Sequence, residues 1–158
     1  MTDTVEIAVI INGRVHRLAV CPRRVLADVL REDLQLLGCK IGCDQALCGA
    51  CTVLVDEMPA TACTTFAFEV DGKAVTTIEG LAAGGILDPV QRAFLEHSAF
   101  QCGFCTPGMI LSAKALLARH PEPDERLIRQ WLNANICRCT GYQMIVEAVR
   151  AAARMGPG

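Results

Sequence analysis

The sequence predicts an α+β protein in two parts, a small mixed sheet with one helix followed by a compact bundle of four short helices. Three observations carry this. β-rich runs fill the first half, the apolar period turns helical after Gly80, and each half holds its own group of cysteines. At 158 residues the chain has room for two small domains. The change of period sets the expected division at residues 1–80 and 81–158.

The elements follow in order. Residues 5–11 and 15–20 are β-rich runs joined by Asn12-Gly13, the dipeptide that most readily takes the positive φ angles of a tight hairpin turn. Residues 25–36 place Val25, Leu26, Val29, Leu30 and Leu34 near one helical face, with Gly38 as the stop. A cysteine loop comes next, then a strand at 52–55 and another at about 73–78. Gly84-Gly85 marks the linker. Asp88-Pro89 opens a helix through about Ser98, since proline in the first turn lacks only an N–H that would have had no partner. Thr106-Pro107 opens a second helix in the same way, running to about Arg119 before Pro121 and Pro123. Asp124 caps a third, whose apolar face is Leu127, Ile128, Trp131 and Leu132, and a fourth runs from about Gly141 or Tyr142 to Met155. Short connections between four helices suit a bundle.

Composition narrows the function. A chain 52% hydrophobic and 20% charged is that of a packed globular protein. A net charge of -2 and a pI near 5.9 give no basic field for nucleic acid or an anionic membrane surface. The N-terminus carries Asp3 and Glu6 where a signal peptide would carry Lys or Arg, and no apolar run approaches the roughly 18 residues of a membrane span. Cytoplasmic residence is therefore expected, and that compartment keeps thiols reduced. Ten cysteines then point to metal rather than disulfides.

The spacing Cys43-x4-Cys48-x2-Cys51, with Cys63 as a more distant fourth, is the plant-type 2Fe-2S pattern, and Gly42, Gly49 and Ala50 are small enough to let backbone N–H groups approach the sulfurs. The second group, Cys102-x2-Cys105 and Cys137-x-Cys139, lies just before two expected helix starts, where unpaired N–H groups and the positive dipole end favour thiolates. Spacing alone leaves this group open between an iron-sulfur cluster and a four-thiolate zinc site.

The strings GCDQALCGACTVLVD, QCGFCTPGMI and NICRCTGY resemble those of the iron-sulfur subunit of the molybdenum hydroxylases, the xanthine oxidase, aldehyde oxidoreductase and carbon monoxide dehydrogenase family. The likeness covers nearly the whole chain. It implies an N-terminal β-grasp ferredoxin domain of the plant type and a C-terminal four-helix bundle, each with one 2Fe-2S cluster. The first would be held by Cys43, Cys48, Cys51 and Cys63, and the second by Cys102, Cys105, Cys137 and Cys139. It implies further that Gln101 and Cys139 neighbour the pterin of a molybdenum cofactor (molybdenum-molybdopterin) on a large partner subunit. A medium subunit would carry FAD or another acceptor would serve. Electrons would run from molybdenum, after hydroxylation with oxygen taken from water, through both clusters to that acceptor.

Where the family usually has glycine three residues after the first cysteine, this chain has Ala46, which costs roughly 1 kcal/mol if φ there is positive. Two cysteines are left over. Cys39 is expected as a free thiol in or near the core and Cys21 as structural. His16, His97 and His120 show no metal-pair spacing, so surface or capping roles are expected, and Trp131 is expected in the core. The chain has no Ser-His-Asp set, no GxxxxGK[ST] loop and no GxGxxG, so none of its residues is expected to be catalytic. Two other classes remain: a free-standing ferredoxin-type carrier, which would not need the second motif, and a zinc-stabilised interaction module, which would be colourless.

Overall fold

The structure is a computed structural model that describes residues 3–82 and 84–156. Strands β1 (Val5–Ile11) and β2 (Arg14–Val20) form the expected hairpin, with Asn12 at φ 51° and Gly13 at φ 78° turning the chain. The alternation of β1 buries Ile7, Val9 and Ile11 on one face. Strands β3 (Thr52–Val55), β4 (Met58–Thr61) and β5 (Ala74–Thr76) complete a five-stranded mixed sheet in the order β2-β1-β5-β3-β4. Only the β1–β5 pair is parallel.

Several elements differ from the expectation. In place of a helix over 25–36 there is one turn, α1 (Leu26–Asp28), which widens into a π-helical turn at Val29–Asp33, where the Leu34 N–H reaches back to the Val29 carbonyl at 3.1 Å. Gln35 at φ 55° makes the exit, not Gly38. Gly38 is needed for another reason: its N–H meets the Glu79 carboxylate at 2.7 Å, and a Cβ there would run into Ile78. Strand β4 is additional. Its Pro59 lowers the β propensity of the segment, and the sheet tolerates it because β4 is an edge that pairs only with β3. Strand β5 is shorter than expected, because the chain turns into a 3-10 segment at Ile78–Gly80; a second one spans Ala67–Val70.

Four helices form the second half: α2 (Pro89–Glu96), α3 (Thr106–Arg119), α4 (Glu125–Leu132) and α5 (Gln143–Met155). Asp88 caps α2 through the Val90 N–H at 2.9 Å and is also paired with Lys114 of α3. Asp124 caps α4 through the Leu127 N–H at 2.7 Å. Helix α2 stops two residues short of Ser98, with His97 as its C-cap.

One apolar core lies under the sheet and includes Cys39, Cys51 and Cys63; a second lies inside the helices around Phe94, Met109, Leu116, Ile128 and Ile145. Leu54 of β3 with Leu111 and Ala115 of α3 makes a small third cluster joining them, lined by Leu81 and Trp131. No helix among the described residues is long and apolar enough to cross a membrane.

Candidate metal centres

The loop after the π-helical turn wraps around the Cys43 sulfur. The N–H groups of Gln45, Leu47 and Cys48 all point at it, at 3.4, 3.3 and 3.3 Å. Such a nest needs alternating backbone hands, and Asp44 and Ala46 both sit at φ 57°. The three N–H donors hold the Cys43 thiol at about 7, below its ordinary value of 9.0. The Cys48 side chain neighbours Cys43 and lies against Gly42, where an added Cβ would come within 3.0 Å of the Cys48 sulfur. Cys51 and Cys63 are neighbouring buried thiols, and burial pushes the Cys51 thiol up to about 12.

The second group is arranged in the same way, as two pairs. Cys102 and Cys139 are exposed, with their sulfurs 3.5 Å apart, and that contact raises the Cys139 thiol. Cys105, the N-cap of α3, is paired with Cys137, and burial pushes it up to about 12. Burial acts upward on Cys137 too, but the Thr140 hydroxyl at 3.1 Å, the N–H groups of Cys139 and Thr140, and the Cys105 thiol together bring it below 9.0. Cys105 also feels the charge of Cys102, and Cys139 that of Cys137, so the two pairs are neighbours.

The two loops are in direct contact. The Cys48 carbonyl accepts the Ile136 N–H at 2.8 Å, one residue before Cys137. Gly49, at φ 68°, leaves no room for a side chain, since a Cβ would lie 2.9 Å from the Asn135 Cα. Gly108 in α3 is likewise pressed against the Gly49 carbonyl. Gln101 is exposed beside Cys102. Leu47, Phe104 and Ile136 are also exposed, at 66%, 46% and 53%, and all three border the Gly42–Cys48 region.

All ten cysteines are free. Among the described residues no three His, Cys, Asp or Glu side chains converge on one point as a single ion would require. A tetrahedral zinc needs four donors at about 2.3 Å from one centre, whereas a two-iron cluster takes its four thiolates as two pairs, one on each iron. The paired thiols and the N–H groups aimed at sulfur fit the second demand.

Comparison with known families agrees with that geometry. Residues 9–80 match the 2Fe-2S iron-sulfur cluster binding domain and residues 77–150 match the [2Fe-2S] binding domain. The small subunit of nicotine 6-hydroxylase from Paenarthrobacter nicotinovorans is 49% identical over 148 residues, covering 94% of this chain and 89% of that one. The chain belongs to the iron-sulfur subunits of the molybdenum hydroxylases. Within that family, quinoline 2-oxidoreductase from Pseudomonas putida superposes with a TM-score of 0.92 at 43% identity, over 98% of this chain and 99% of the matched chain. Aldehyde oxidoreductase from Desulfovibrio desulfuricans superposes with a TM-score of 0.91 at 46% identity, over 95% of this chain but 17% of that longer one. Like its relatives, this iron-sulfur subunit has two 2Fe-2S binding domains and an electron-transfer role.

Both leftover thiols lie off the paired sets. Cys39 is buried, its sulfur 3.6 Å from the Cys51 carbonyl, and burial pushes it up to about 12, so it stays protonated. Cys21 is exposed at the end of β2. His97 and His120 are the C-caps of α2 and α3. Trp131 is half-buried, its indole N–H on the Ser112 carbonyl at 2.9 Å. Sequence reasoning missed Asn135, Thr140 and Tyr142 as shaping residues. All three lie inside NICRCTGY, but the string does not show that the Asn is buried or that the phenol folds back on Cys137.

Proposed function

We propose that this chain is the electron-carrying subunit of a molybdenum hydroxylase complex, taking electrons from a molybdenum-molybdopterin site on a large subunit and delivering them to an FAD-binding medium subunit. When bound, each 2Fe-2S cluster supplies a one-electron redox centre. Cys43, Cys48, Cys51 and Cys63 hold one, within residues 1–80; Cys102, Cys105, Cys137 and Cys139 hold the other, within 81–158. The observation that carries this reading is the sorting of eight thiols into four close pairs.

The chain's own residues do three things. Backbone N–H groups around Cys43, and the Thr140 hydroxyl and N–H at Cys137, stabilise negative charge on sulfur. Burial of Cys51 and Cys63 excludes water from one side of the first site. Exposure of Cys102, Cys139 and Gln101 leaves one edge of the second site open to a partner, where the Gln101 amide offers both donors and an acceptor to a pterin edge. Leu47, Phe104 and Ile136 supply an exposed apolar rim of the kind that marks a protein interface. Substrate choice is assigned to the large subunit, since relatives named for nicotine and for aldehyde share 49% and 46% identity with this chain.

Iron and acid-labile sulfide, with a visible spectrum, on protein isolated with its copurifying chains test the proposal. About four irons and four sulfides per chain are expected, with molybdenum and flavin on the companions. A colourless protein holding zinc without sulfide overturns it.

A further inference from the structure

Asn135 is 2% exposed, and its side chain has partners from both halves of the molecule. Its carboxamide nitrogen donates to the Gly49 carbonyl at 3.0 Å and to the Thr52 hydroxyl at 3.3 Å, 86 and 83 residues away along the chain. Its carboxamide oxygen accepts from the Ser112 hydroxyl of α3 at 2.8 Å. Its main chain is fixed as well: the N–H donates to the Leu132 carbonyl at 2.9 Å, and its carbonyl accepts the Tyr142 hydroxyl at 3.3 Å. The same phenol oxygen accepts the Cys137 N–H at 2.7 Å. Tyr142 makes this reach from φ 69°, a left-handed backbone that a tyrosine adopts only when its surroundings impose it. Buried amides bonded on every side define one arrangement of the parts they join. Here those parts are the turn before Cys137 and the loop that ends in Cys48, Gly49 and Cys51.

We propose that Asn135 is a positioning residue for electron transfer between the two centres: its carboxamide clamps the first cysteine loop to the second and so sets their separation. The inference rests on the two-cluster reading above. Among the described residues no other side chain of the helical half hydrogen-bonds Gly49, and the bond from the Ile136 N–H to the Cys48 carbonyl lies at the peptide next to it.

The test is electron paramagnetic resonance of the fully reduced, cluster-loaded full chain, in which two neighbouring paramagnetic centres split each other's signals. Asn135→Asp keeps an oxygen for Ser112 but faces the Gly49 carbonyl with a second acceptor, so the clamp is lost with almost no change of volume. The expected result is a loss or broadening of the splitting, with iron, sulfide and the two individual signals retained. Ser112→Ala, which leaves the donation to Gly49 in place, is expected to keep the wild-type splitting. Unchanged splitting in Asn135→Asp overturns the proposal, as would unsplit signals in the unsubstituted chain. Loss of a cluster from Asn135→Asp also overturns it, because Asn135 would then be needed to build a site rather than to space two. Absence of iron and sulfide from the unsubstituted chain would instead remove the underlying two-cluster reading.

Discussion

What distinguishes the proposed ligands from the leftover thiols is a neighbouring sulfur rather than burial, since burial pushes Cys39, Cys51 and Cys105 alike up to about 12. Cys48 borders the exposed Cys43 nest, while Cys39 is buried with its thiol protonated and directed at the Cys51 carbonyl. Cys48→Ser is expected to lower iron from about four to about two per chain, with the second cluster's signal intact. Cys39→Ala is expected to leave iron unchanged. Metal analysis with visible spectroscopy checks both, and the reverse pattern would exchange the two roles. Ala46 supplies a second residue-level prediction. Its φ of 57° is one that alanine adopts at a cost, so Ala46→Gly should stabilise the loop by about 1 kcal/mol, read as a raised midpoint for thermal bleaching of the loaded chain. The sequence raised a positive φ at Ala46 only as a condition, and the backbone meets it. The pairing of Cys105 with Cys137, and of Cys102 with Cys139, could not be read from spacing, because it depends on how loops far apart in the chain fold over one another.

At the scale of elements, local chemistry decides where the chain follows its own preferences and tertiary contact decides where it departs. The Asn12-Gly13 turn, the Asp88-Pro89 and Thr106-Pro107 starts and the Asp124 cap are local signals, and each stands where the sequence put it. The π-helical turn at Val29–Asp33 and the edge strand β4 were not legible. The apolar spacing of 29–34 also fits an ordinary helix, and Pro59 argues against a strand until β3 is known to lie on only one side of it. Helix α3 shows the contest of scales most directly. Replacing a glycine inside a helix by alanine ordinarily gains up to about 1 kcal/mol. At Gly108 the added methyl would collide with the Gly49 carbonyl, so Gly108→Ala is expected to destabilise by about 1–3 kcal/mol, a reversal of sign measurable as a lower urea midpoint.

For the whole molecule, the two apolar cores are linked by little: Leu54, Leu111 and Ala115, flanked by Leu81 and Trp131, beside the polar clamp of Asn135. That linkage joins the two halves, and it can be tested apart from either site. Leu111 is 1% exposed and reaches from α3 to Leu54, on the face of β3 opposite the sheet core, so Leu111→Ala should cost about 2–5 kcal/mol through lost burial and the cavity left behind. The loss falls on the junction, so cooperativity between the halves should fall with it. Trp131 is the single tryptophan and sits at the junction, while the cluster proposed for Cys43, Cys48, Cys51 and Cys63 would absorb in the visible from within the sheet half. In the unsubstituted chain, tryptophan fluorescence and visible absorbance should change together on denaturation, as one cooperative unit requires. In Leu111→Ala the two transitions should separate, with the fluorescence change coming first. Coincident transitions in the variant would mean that the shared loop contacts at Gly49, Gly108 and Asn135, rather than the apolar junction, hold the halves as one unit.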